Sequence, residues 1–326
     1  CTPLYSSAAS DVYKRQVLRR QILDVVAGLA QTATGGFMAN PRADYSPIFH
    51  RPPLKLPGNA RIAIWPVINV EEWDINETMA RAVLPTPQGV GVTPDIANFG
   101  WFDYGLRVGF WRFKQVLDRH GIRATVSLNA SVCQSYPQLV QESLDAGWEM
   151  LGHGFIQRVI NKEPDERAVI RRTIETIEAF TGEKLRGWMG PGLAETFDTP
   201  DILADEGIEY VADWCNDDQP YQMIVNSGRL VAVPYTLELN DIPIYVVQHH
   251  RSPEIFERAR DQFDTLYREG GDSARIMCIS THPYITGVPH RIKYYNMIFE
   301  YMKKFEGVLF MTGSEILDWY NSTEHE

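Results

Sequence analysis

An amphipathic stretch, a glycine, then a short apolar run: this unit recurs along most of the chain and restricts its fold more than any other feature. Arg107 to His120 carries Val108, Trp111, Phe113, Val116 and Leu117 at helical spacing, Gly121 stops it, and Ala124 to Leu128 follows as a strand. The same order returns in Tyr136 to Ala146, Gly147 and Trp148 to Leu151, and again in Asp165 to Thr181, Gly182 and Leu185 to Met189. It continues with Pro200 to Glu206, Gly207 and Tyr210 to Ala212, then a hairpin-like piece at Arg229 to Pro234. The helical stretches Pro253 to Gly270 and Arg291 to Phe305 precede the strands Arg275 to Ser280 and Val308 to Met311. Helix and strand in strict alternation argue for a parallel α/β architecture. Polar residues after several successive strands favour a closed or distorted (β/α) barrel over an open sheet.

Arg61 to Val70 is an apolar run that reads as the first buried strand, and Asn40 to Gly58, with five prolines, reads as an extended arm leading into it. Trp73 to Asp103 is long and poor in period, as expected of a functional loop bordering a site. Residues 1–16 lack an initiator Met and any periodicity and read as non-native read-through. Residues 17–58 are then a helix, at Val17 to Gln31, and the Pro-rich arm; residues 59–322 form a single catalytic barrel.

With 44% hydrophobic residues a large core needs no disulfides, and Cys1, Cys133, Cys215 and Cys278 form no C-x-x-C pair. A reducing, cytoplasmic setting follows as the simplest expectation. The net charge of -11 opposes attraction to nucleic acid or an anionic membrane. No apolar run approaches the roughly 20 residues of a membrane helix. The expected partner is a small molecule or saccharide.

Strand ends of a barrel share one mouth, so the residues following each strand are the candidates: Glu71 and Glu72, His153, Arg186 to Pro191, Asp213 to Tyr221, and His282. Adjacent carboxylates can divide labour, one kept ionised while repulsion and burial raise the other's proton affinity; they can equally be a solvated pair. His153, between Gly152 and Gly154, is either a site residue or a hydrogen-bonded core histidine, and His282 is similar. Trp188, Trp214 and Tyr221 suit stacking on a ring or packing in the core. Asn216, Asp217 and Asp218 suit a ligand or a solvated turn. His249 and His250, adjacent in sequence, cannot easily converge on one ion and belong to a surface or interface.

The ordered set resembles the polysaccharide deacetylases with a NodB-homology domain, in the branch of cytosolic peptidoglycan deacetylase-like proteins and the allantoinase analogue. It consists of Val67-Ile68-Asn69-Val70-Glu71-Glu72, Tyr104-Gly105-Leu106-Arg107-Val108-Gly109-Phe110-Trp111-Arg112, Gly152-His153-Gly154, Arg186-Gly187-Trp188-Met189-Gly190-Pro191-Gly192, Asp213 through Tyr221, and Thr281-His282-Pro283. The resemblance covers about Tyr45 to Tyr320. It implies a distorted (β/α) barrel of the NodB-homology type and hydrolysis of a non-peptide C–N bond. Under it Glu71 is the catalytic base, Arg186 orients that base and His282 protonates the leaving group. Trp188, Pro191, Asp213, Trp214, Asn216, Asp217 and Tyr221 border the substrate, and Glu72 and His153 are metal ligands. Relatives of this branch are homotetramers, so a homo-oligomer is implied as well.

The chain departs from that pattern twice. Gln157, a poor zinc ligand, stands where the family's H-x-x-x-H motif has its second histidine, and Glu-Glu replaces Asp-Asp. A site that keeps its metal holds a divalent ion such as zinc at Glu72 and His153; a site that has lost it depends on Glu71 to activate water, as in an allantoinase-like ring-opening enzyme. A barrel that binds a carbohydrate or ureide without turnover is the third reading.

Overall fold

The computed structural model describes residues 40–87 and 89–323; the N-terminal helix expected at Val17 to Gln31 lies outside them. The chain separates into Cys1–Tyr45 and Ser46–Glu326, and the second unit carries the sheet.

That sheet contains β1 (Ile62–Val70), β2 (Thr125–Leu128), β3 (Glu149–Gly152), β4 (Gly187–Trp188) and β5 (Tyr210–Val211). It continues with β6 (Tyr221–Gln222), β7 (Val231–Ala232), β8 (Arg275–Thr281) and β9 (Val308–Phe310). The order is β6-β7-β5-β4-β3-β2-β1-β8, with β9 also on β1, and every pairing is parallel except β6 with β7. Ser280 meets the segment after β7 through a parallel bridge to Asn240, and Ile276 N donates to Asp218 O, so the sheet curls into a distorted barrel.

β1 is buried along its whole length, as its apolar run requires when both faces are covered. Period-two alternation divides its side chains. Ile62, Ile64, Ile68 and Val70 pack outward against the helical layer, in one core with Phe110, Phe113 and Phe299. Ala63, Trp65 and Val67 point into the curl with Leu151, Met189, Tyr210 and Ile276. The indole of Trp65 donates to Thr125 Oγ1 at 2.8 Å, leaving no polar atom of that large inward ring unsatisfied.

Strand and helix positions follow the sequence reading closely, with one instructive difference. Helix begins at Ile96, inside the stretch expected to be loop, runs to Tyr104, passes through a π-helical turn at Gly105–Gly109 and resumes as Phe110–His120. Asp95 caps it by accepting from Asn98 N at 3.2 Å. The glycines that blur its periodicity have a packing reason: a Cβ on Gly109 would lie 2.1 Å from Pro283 O, and one on Gly105 2.6 Å from Tyr284 N. The helix therefore presses directly on the turn that carries His282, and no larger residue fits at either contact. A final helix, Gly313–Thr323, and a π-helical turn at Ile242–Val247 were also absent from the sequence reading.

Candidate active site

The inward alternation continues past the strand ends and selects the site. In β1 the inward series Ala63, Trp65, Val67 extends through Asn69 to Glu71. In β3 it extends from Leu151 to His153, and in β8 from Ile276 and Cys278 through Ser280 to His282. Parallel strands bring the three termini to one mouth. Glu71, His153 and His282 are each buried there.

Glu71 is the hub. Its Oε1 lies 3.4 Å from His282 Nε2 and 3.8 Å from His153 Nε2, and accepts from Gln157 Nε2 at 2.9 Å. Its Oε2 accepts the Tyr284 hydroxyl at 2.9 Å. Burial alone would push this carboxyl up, but the charge of His282 and hydrogen bonds from His153 and His282 outweigh it and hold Glu71 below the usual carboxylate range.

Behind His282 stands Asp241, fully buried. Its Oδ1 is 2.6 Å from His282 Nδ1, while Oδ2 accepts from His282 N at 2.8 Å and from Thr286 Oγ1 at 2.6 Å. Burial works against protonation of His282, yet Asp241 and then Glu71 overcome it and raise the imidazole to about 9. The result is a carboxylate–imidazolium–carboxylate chain, with Nε2 of His282 directed at Glu71. His153 is oriented differently: Nδ1 lies 2.6 Å from Met189 O, so that nitrogen donates and Nε2 faces Glu71. Asn129 steadies the same corner, donating to His153 O and accepting from Glu72 N at 2.9 Å.

Of the residues expected at the site, Glu71, His153 and His282 come together and others do not. Glu72 follows with the opposite parity, and among the described residues no hydrogen bond or ion pair joins it to either histidine. It lies near Tyr136, whose hydroxyl is raised to about 12 by burial, by Asp103 and in part by Glu72. The expected pairing of Glu72 with His153 around a metal is therefore not formed. The resemblance implies a divalent metal such as zinc, but the donor set here does not fit one. Gln157 spends its amide N–H on Glu71, and among the described residues no three His, Cys, Asp or Glu side chains converge as ligands.

Arg186 does not orient Glu71. It enters β4 from the N-terminal end of the sheet, where its guanidinium binds Glu209 at 2.9 Å and Asp318 at 2.7 Å. Trp188 is fully buried in the outer core, because its position in β4 faces the helices. Asp217 is an ion-pair partner of Arg51 at 2.6 Å, and the adjacent Gln219 donates to Ser273 Oγ and Ala274 O at 2.9 Å. That loop seals the start of β8, and Asn216 only accepts the Tyr221 hydroxyl at 3.1 Å, so these three stand apart from Glu71. Asp213 stays on the mouth side: it accepts from Gly190 N at 2.8 Å, next to the Met189 that holds His153. Burial, then Glu195, pushes its carboxyl well above the usual range. Trp214 donates to that Glu195 at 3.1 Å. Pro191 is buried and lines a cleft with Trp73 and Gln157.

Asp241, Tyr284 and Gln157's contact with Glu71 were missed. The signal for Asp241 was a lone acid inside Leu239-Asn240-Asp241-Ile242-Pro243-Ile244-Tyr245, since an acid in an apolar run is buried only with a partner.

A buried acid–imidazole–acid chain at the C-terminal mouth of a curled α/β barrel defines a hydrolytic class of site. Residues 97–211 match the family model described as polysaccharide deacetylase. A Schizosaccharomyces pombe protein, provisionally named a polysaccharide deacetylase, is 28% identical over 290 residues, covering 80% of this chain and 90% of its own. The peptidoglycan deacetylase of Helicobacter pylori is 24% identical over 260 residues, covering 69% and 87%. The crystal structure of Puue allantoinase superposes with a TM-score of 0.76 at 26% identity, over 87% of this chain and all of that one. The chain is therefore similar to polysaccharide deacetylases and shares their distorted (β/α) barrel. Its class is hydrolase of carbon–nitrogen bonds other than peptide bonds.

Proposed function

We propose that the chain hydrolyses an amide of an N-acetylated sugar or a small cyclic amide, with Glu71 as base and His282 as acid. The observation that carries this reading is the Asp241–His282–Glu71 chain, which keeps an imidazolium beside an ionised carboxylate at neutral pH. Glu71 takes a proton from water as its oxygen attacks the carbonyl carbon; the C–N bond breaks as His282 Nε2 gives its proton to the leaving nitrogen. A carboxylate held this low is a weak base while His282 is charged. Once His282 has surrendered its proton, the neutral imidazole can accept one in turn, which resets the pair for another turnover. The proton on Glu71 can then return to His282 across the 3.4 Å gap. No step uses a metal, because the donor set does not fit one.

Ring opening of a cyclic ureide is supported by the likeness to an allantoinase and by Gln157, which replaces a ligand with a hydrogen-bond donor to Glu71. Turnover of N-acetylated sugars and cyclic ureides by the wild type and Glu71→Gln tests the proposal. Turnover that vanishes in the variant while ligand binding persists supports it; binding without turnover in the wild type supports a non-catalytic barrel instead.

The proposal extends to a reducing compartment, supported by the unpaired thiols of Cys133, Cys215 and Cys278. Among the described residues no helix is long and apolar enough to cross a membrane. A homotetramer rests on the family resemblance alone, and light scattering tests it.

A further inference from the structure

Beside Glu71 opens a cleft of about 520 Å³ whose walls include Trp73, Met79, Arg81, Gln157 and Pro191. Gln157 belongs both to this cleft and to the catalytic hub, since its amide donates to Glu71 Oε1 at 2.9 Å. A ligand in the cleft therefore reaches the reacting atoms. The other cations at the rim are accounted for: Arg158 lies 3.4 Å from Glu77 and 3.6 Å from Glu163, and Lys162 is exposed.

Arg81 is different. It is half-buried, and among the described residues no hydrogen bond or ion pair holds its guanidinium. Its charge is felt at Tyr284, where it opposes the rise that burial imposes on that hydroxyl. Tyr284 is the residue that donates to Glu71 Oε2, and Gln157, which shares the cleft with Arg81, donates to Glu71 Oε1. Guanidinium groups bind carboxylates through paired, parallel hydrogen bonds, and one that no described acidic residue pairs with has its donors available. The surroundings also explain why a cation is needed. Glu71 and Asp241 outnumber His282 in charge, so an anionic substrate would be repelled from this mouth without a compensating group.

Resting on the hydrolase reading above, we infer that Arg81 selects an amide substrate carrying a carboxylate, and that the cleft holds this anionic substituent while the amide sits at Glu71. N-Acetylmuramic acid and N-acetylglucosamine form a matched probe pair, differing by a lactyl carboxylate. Calorimetric binding to wild-type protein, Arg81→Gln and Arg81→Lys is the test, at low and at high salt. The wild type should bind the acid about tenfold more tightly than the neutral sugar, a gain that salt weakens. Arg81→Gln should abolish this preference and leave the neutral sugar's affinity unchanged, while Arg81→Lys should keep part of it. Equal affinity for both sugars, no binding of either, or a preference that survives in Arg81→Gln overturns the inference. The hydrolase reading is judged separately, by loss of amide turnover in Glu71→Gln, so one can fail without the other.

Discussion

The two ends of the curled sheet handle their carboxylates in opposite ways. At the N-terminal end Glu149, which opens β3, is saturated: Oε1 accepts the Tyr210 hydroxyl at 2.8 Å and Ser314 N at 3.0 Å, and Oε2 accepts Thr125 Oγ1 at 2.8 Å. Arg186 nearby is held by Glu209 and Asp318. At the C-terminal end Glu71 shares a proton-bearing neighbourhood with His153 and His282, while Glu72 Oε2, Trp73 Nε1 and Gln157 Oε1 are buried without partners among the described residues. Saturated polar groups stabilise and specify a fold; unsatisfied and coupled ones are left ready for a ligand or a proton. The difference separates structural from chemical residues more sharply than their identities do.

Substitutions across this divide should therefore have opposite signatures. Glu71→Gln should lower kcat by about 10³-fold or more, as expected for loss of a general base, with the fold retained by circular dichroism. Asp241→Asn should lower kcat by about 10²- to 10³-fold, because a neutral amide no longer stabilises the imidazolium or fixes its orientation. At the other end, Glu149→Gln should leave kcat unchanged but cost about 1–3 kcal/mol in denaturant unfolding, since a hydroxyl donor loses its acceptor. Arg186→Gln should be the mildest, with unchanged turnover and less than about 1 kcal/mol lost from a partly exposed ion pair. A large fall in kcat for Arg186→Gln would break the comparison.

The same coupling gives the stability a pH signature. His282, raised from 6.5 to about 9, contributes stability that is full below 6.5 and lost as pH climbs through 9. Glu71, lowered from 4.5, contributes stability that is present above 4.5 and lost as pH falls through its depressed value. Unfolding midpoints in wild type and Glu71→Gln should thus differ most between these limits and converge outside them.

Much of the fold was legible in the sequence because glycine stops and apolar runs are local. β1, β3 and β8 lie within a residue or so of where the pattern puts them. The helix at Ile96–Tyr104 was not legible, since Gly100 and Gly105 break its period, and at Gly105 the break serves a contact with Tyr284 that only the folded chain makes. At the site, Glu71, His153 and His282 were found as strand-end residues. Which of the two adjacent glutamates faces inward depends on alternation counted from the core, and the choice of Glu72 as a partner for His153 ignored that parity. Arg186 was misplaced for a related reason: it precedes its strand rather than following it. Asp241 was invisible because its partner, His282, lies 41 residues away in sequence.

Under the proposed mechanism, Asp241 keeps His282 charged beside Glu71 so that it can serve as the acid. The pH dependence of kcat/KM for an N-acetylated or cyclic amide substrate, measured in wild type and Asp241→Asn, tests it most directly. A basic limb near pH 9, set by His282, is expected in the wild type and should move to lower pH in the variant. A basic limb that stays in place when Asp241 is replaced would contradict it.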